Sequence, residues 1–196
     1  MHITISEFTE KILAAVRKEA KDQGITQGAI AIAFEGNADV MSLPIPCGMT
    51  TFTFPIIEGG DTVFRDDEGG ELGDCAGVVA MKIAAAKRAI TYHEAEHCIA
   101  TAEESTSGAL PEEFNGNGRI NWKGCVAFPV GVLVGGHCGH LGMEAGRIYV
   151  SVSGGKQDQD EAAAWAALSV IAEALEAEYG CMLPRTFYER LHANSQ

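Results

Sequence analysis

The sequence predicts an α+β fold, a mostly antiparallel sheet with long helices packed on it. Three observations carry that prediction. A capped amphipathic stretch at the N-terminus is followed at once by a short β-branched apolar run, Gly28 to Phe34. A long alanine-rich stretch, Cys75 to Glu104, separates the early strands from the later ones. Near the C-terminus RIYVSVSGGKQDQDEAAAWAAL, residues 147–168, alternates like a strand, breaks at two glycines and turns helical.

Thr4 to Glu7 is a capping box, and Ile3 and Phe8 are placed as a hydrophobic staple. Phe8, Ile12 and Val16 follow at helical spacing and Gly24 suits a helix end, which predicts a helix over 5–22. GAIAIAF reads as a buried strand, residues 35–39 as a turn, and Val40 to Ile45 as the returning strand of a hairpin. Residues 50–54 alternate like a strand, but Pro55 argues against a central place in a sheet. A glycine-rich acidic loop, 58–74, comes next. Asp74 can cap the alanine helix, whose Val79, Ile83, Ala86 and Ile90 share a stripe. Cys125 to Val134 reads as a strand interrupted by Pro129, and a turn over 135–146 leads into the strand beginning at Arg147. Gly154 and Gly155 allow backbone angles closed to other residues. Asp158, Asp160 and Glu161 then favour a helix N-terminus. That last long helix should run over 158–179, and Pro184 can open a short terminal one.

The 196 residues, 46% of them hydrophobic, suit one domain spanning 1–196 with a sizeable core. With 14 basic and 27 acidic side chains the net charge is −13, a surface that repels phosphate backbones and anionic membranes. Neither nucleic acid nor membrane is an expected partner. No apolar run approaches the roughly 20 residues that span a bilayer. MHITISEFTEK has neither the basic start nor the apolar core of a signal peptide. Cys47, Cys75, Cys98, Cys125, Cys138 and Cys181 are scattered without a CxxC pair, so reduced thiols in a cytoplasm are expected.

The segment from Gly154 to Glu161, with Gln159-Asp160-Glu161 five residues past the first glycine, resembles the C-terminal signature of the GlcG/HbpS-like haem-binding family. Residues 84–91, AAAKRAIT, resemble that family's central helix in part, with Arg88 following Lys87. Phe128 to Val132 resembles its Gly-Gly-Val-Pro turn only loosely. The resemblance covers about 140 residues in the order helix, hairpin, long helix, hairpin, helix. It implies a profilin/PAS-like sheet, a small-molecule ligand bound between helix and sheet, haem or another tetrapyrrole as that ligand, and a homo-oligomer. Residues 47–73 depart from the family and read as an insertion: a lid, an edge hairpin or, more plainly, a solvated loop.

The chemistry-bearing residues cluster in two places. His93-Glu94-Ala95-Glu96-His97 satisfies H-E-x-x-H, which on a helix sets two imidazoles one turn apart beside a glutamate. Such a pair could hold zinc or iron with a third ligand from Glu103, Glu104, Glu112, His137 or His140, and Glu94 or Glu96 as base. Alternatively Tyr92, His93 or His97 ligates haem, or the segment is a solvated helix end. His137 and His140 lie in a glycine-rich turn and are the other candidate metal ligands. Gly154 and Gly155 border the ligand pocket or the subunit interface in the resembling family. A phosphate there would meet three carboxylates, so tight packing is the plainer role. Lys87 could pair with one of those acids, as a catalytic lysine or a structural ion pair. Three functions follow: a ligand-binding protein; a metal-dependent hydrolase, lyase or isomerase; and a structural accessory of a metabolic enzyme.

Overall fold

The computed structural model describes residues 4–36, 48–63, 124–132, 143–175, 181–183 and 185–193. Helix α1, Ile5–Asp22, occupies the predicted span, and its capping box forms as read. The Glu7 amide donates to Thr4 Oγ1 at 3.2 Å, and the Thr4 amide donates to Glu7 Oε2 at 2.8 Å. These bonds satisfy donors that the first helical turn leaves open. Ile3, the other half of the expected staple, lies outside the described residues. Gly24 has a φ of 78°, the left-handed angle that ends the helix.

Strands β1 (Ala29–Gly36), β2 (Gly48–Pro55), β3 (Cys125–Val132), β4 (Met143–Ser153) and β5 (Cys181–Met182) form one sheet in the order β2-β1-β4-β3-β5. Every neighbouring pair is antiparallel. The expected α+β class with an antiparallel sheet is what the chain adopts.

The expected hairpin is corrected in its second arm. β1 is paired along one edge by β2 and along the other by β4, so its partner is Gly48–Pro55 and not Val40 to Ile45, which lies outside the described residues. The alternation of 50–54 settles the matter: eight residues pair with β1 in unbroken register. Thus the first part of the segment read as an insertion is, among the described residues, the edge strand of the sheet, and Pro55 sits at its end, where a missing N–H costs least. Arg17 fixes that end from α1, its Nε and Nη2 both donating to the Pro55 carbonyl at 3.2 and 3.1 Å.

β4 is longer than expected, beginning at Met143 rather than Arg147. Val130 pairs with Gly146 but Gly131 pairs with Glu144, so the ladder carries a bulge at Ala145 beyond Pro129. The last long helix is divided as well. Helices α2 (Gln157–Trp165) and α3 (Ala167–Ala174) meet at Ala166, and α4 (Arg185–Ala193) follows Pro184 as predicted.

Alternation sorts the strands onto two faces. Ile30, Ile32, Phe34, Val126, Phe128, Val130, Ile148, Val150 and Val152 share one core with Phe8, Ile12, Leu13 and Val16 of α1. Leu168, Ile171, Leu175 and Phe187 complete it. Phe128, Trp165 and Phe187 meet at centroid distances of 5.7–5.9 Å. The opposite face is also buried, and Ala33, Cys125, Ala127 and Tyr149 form a second cluster there. Burial on both faces is why β1 reads as a continuous apolar run.

Candidate functional site: a buried polar ladder beside a clamped glycine turn

On the second sheet face, register builds cross-strand rows. Glu35 lies opposite Arg147, which lies opposite Pro129. The next row is Ala33, Tyr149 and Ala127, and the one after is Ala31, Ser151 and Cys125. A single large polar side chain, Tyr149, therefore stands among alanines, and its hydroxyl donates to Glu35 Oε2 at 2.9 Å. Tyr149 is fully buried, while Glu35 and Arg147 keep 7% and 8% of their surface. Among the described residues the buried Ser151 hydroxyl finds no hydrogen-bond partner, which costs about 1–3 kcal/mol. The ladder thus gathers a phenol, a carboxylate, a guanidinium and an aliphatic hydroxyl. Its Glu35–Arg147 end is the end of the sheet at which β1 meets the start of β2.

The alternation of 147–153 predicts a half-buried strand, with Tyr149, Ser151 and Ser153 on its open face. The structure buries that face instead. Glu35 and Tyr149 are not among the residues that the sequence singles out. The available signal is that the polar residues of 147–153 all fall on one parity, opposite the alanines of AIAIAF.

At the other end of β4, the glycine turn is a clamp. Gly154 and Gly155 are not among the positive-φ glycines, which corrects the expectation of unusual backbone angles. Their need is for space. A Cβ on Gly154 would lie 2.3 Å from the Gln27 carbonyl oxygen, and one on Gly155 would lie 2.9 Å from Ile25 Cγ1. Of the three acids read as capping the helix, Asp160 reaches back to the glycine turn. Asp160 Oδ1 accepts the Gly155 amide at 2.8 Å, so the protein's own carboxylate takes the place an anion would use. Burial pushes the Asp160 carboxyl up to about 6, against the pull of the Gly155 and Gly154 amides. Gln159 accepts from the Lys156 amide at 2.8 Å and donates to the Gln23 carbonyl at 2.7 Å, tying the start of α2 to the end of α1.

Of the candidate site residues named from the sequence, only Gly154 and Gly155 lie within the described residues. Lys87, Tyr92, His93, Glu94, Glu96, His97, His137 and His140 lie outside them. Among the described residues, no three His, Cys, Asp or Glu side chains come together as a metal shell requires. No described helix is long and apolar enough to cross a membrane. Compared with protein-family models, curated proteins and solved structures, the chain matches none of them.

Proposed function

We propose that this chain is a small-ligand-binding protein of the GlcG/HbpS-like kind, with a profilin/PAS-like sheet. Its ligand is haem or another tetrapyrrole, held at the Glu35–Arg147 end of the polar ladder. The observation that carries the reading is the Tyr149–Glu35 hydrogen bond inside the sheet. A face that needed only to pack would gain nothing from a buried carboxylate, since well-packed apolar side chains of similar volume usually serve stability as well or better. Three polar side chains in adjacent rows at one sheet end suit recognition of a ligand bearing polar groups. Two features of the fold lend support. The antiparallel sheet with helices on one face agrees with the implied architecture, and the Gly-Gly and Gln159-Asp160 element forms one strand-to-helix junction.

The phenol and carboxylate of the ladder fit the polar rim of such a ligand. The residues expected to ligate its iron, Tyr92, His93 and His97, lie outside the described residues. Titrating hemin into tag-free protein tests the reading. A saturable Soret band should appear, disappear in the His93→Ala/His97→Ala double variant, and weaken in Tyr149→Phe. A wild-type spectrum identical to free hemin throughout the titration would sink it.

A further inference from the structure

We infer that the polar ladder selects an open-chain tetrapyrrole over haem, with the Ser151 hydroxyl bonding a lactam group of its terminal rings. The inference rests on the tetrapyrrole reading above and names the kind. Ser151 is fully buried, and among the described residues its hydroxyl finds no hydrogen-bond partner. Buried polar groups of folded proteins are nearly always bonded, so a bound molecule is the natural source of the missing partner.

The sheet around Ser151 is floored with small side chains. Ala31 and Cys125 complete its row, and Ala33 and Ala127 flank Tyr149 in the next. Tyr149 does not close this floor toward β3. Its hydroxyl is bonded to Glu35 of β1, in the row on the far side from Ser151, so the ring leans toward β1 and toward the Arg147 end. Cys125 and Ala127 then form a low strip beside it on β3.

Ser151 lies four residues along β4 from Arg147, about 13 Å at roughly 3.3 Å per residue. That span is comparable to the breadth of a tetrapyrrole. Arg147 keeps 8% of its surface and Ser151 none, so the ligand's carboxylates belong at the guanidinium and its opposite edge at Ser151. In haem that opposite edge carries only methyl and vinyl groups, and the ring nitrogens face the iron. Nothing there can bond a hydroxyl. Opening the ring ends the molecule in two lactams, each a neutral carbonyl beside an N–H, and coiling turns them away from the propionates. A hydroxyl, both donor and acceptor, suits such a group. A buried polar group that one ligand satisfies and another leaves unpaired discriminates between the two.

Separate titrations of hemin and of biliverdin, an open-chain tetrapyrrole, into the tag-free full chain test the choice by absorbance. The wild type should bind both, and biliverdin the more tightly. Ser151→Ala should weaken biliverdin about tenfold, the loss of one hydrogen bond, and leave hemin affinity unchanged. In the free protein Ser151→Ala should unfold at no lower a urea concentration than wild type, since the hydroxyl it removes is unbonded there. A lower midpoint would overturn the inference by showing that the protein or an internal water already satisfies the hydroxyl. Equal losses for both ligands, no loss for biliverdin, or a wild type that binds hemin alone would also overturn it while leaving the tetrapyrrole reading in place. A wild type that binds neither ligand would sink that reading and this inference together.

Discussion

Asp160 accepts the amide of Gly155 at 2.8 Å from a site only 6% exposed, so one carboxylate holds the glycine turn and the start of α2 together. The position costs the charged form its hydration. The folded carboxyl keeps its proton to about pH 6, whereas an exposed aspartate releases it near 3.8. Between those values the folded state binds more protons than the unfolded state. Stability from this group therefore falls as pH rises from about 4 to 6 and is level above.

Asp160→Asn keeps an acceptor for the turn and removes the charge. Relative to wild type it should gain stability between pH 4 and pH 7, by on the order of 2–3 kcal/mol for a shift of about two pKa units. Urea midpoints of both proteins at the two pH values measure this. A difference that does not change with pH would refute the burial argument.

Two glycines should respond differently to alanine. At Gly24 nothing lies within 4 Å of a new Cβ, so Gly24→Ala meets only the left-handed backbone and costs about 1–2 kcal/mol. At Gly154 the Cβ would strike the Gln27 carbonyl oxygen and lie 2.8 Å from Ile56 Cδ1. Gly154→Ala should cost about 3 kcal/mol or more, because backbone must move as well as side chain. Thermal melts that rank the two in the opposite order would contradict the close approach of β4 to the start of β1.

Tyr149→Phe removes the phenolic donor from a buried carboxylate and should cost about 1–3 kcal/mol. Glu35→Ala, which removes the acceptor, should cost less when combined with Tyr149→Phe than by itself, since the pair has then already lost its bond. Denaturant unfolding of the two single variants and the double closes this cycle. Strictly additive effects would mean that the 2.9 Å contact contributes nothing to stability.

Thr4→Ala should destabilise the chain by about 1 kcal/mol through loss of the cap on α1. Thr4→Ser, which keeps the hydroxyl, should restore most of the loss. Equal melting temperatures for wild type and Thr4→Ala would show that the first turn of α1 frays without penalty.

The elements legible in the sequence are those whose causes are local. Thr4 and Glu7 are three residues apart and fix the start of α1, and Gly24 marks its end by its own backbone angle. The glycine turn and its acids are readable because Gly155 and Asp160 lie five residues apart. Pairing is not readable. The sequence points to 40–45 as the partner of β1 because the nearest apolar run is the usual choice. Gly48–Pro55 takes the place by matching eight residues in register. The polar ladder is legible as a parity pattern but not as a buried site. Tyr149 and Glu35 stand 114 residues apart, and no window of sequence contains both.

The amino-acid order by itself therefore determined the limits of α1 and the reach of Asp160 to Gly155, since each rests on bonds between near neighbours, and it marked the α+β class through the periods of its segments. Only the tertiary structure decided that Gly48–Pro55 pairs with β1, that β1 and the 146–153 part of β4 are buried on both faces, and that Tyr149 finds Glu35. Those depend on how much apolar surface each register removes from water, a quantity summed over residues far apart in the chain.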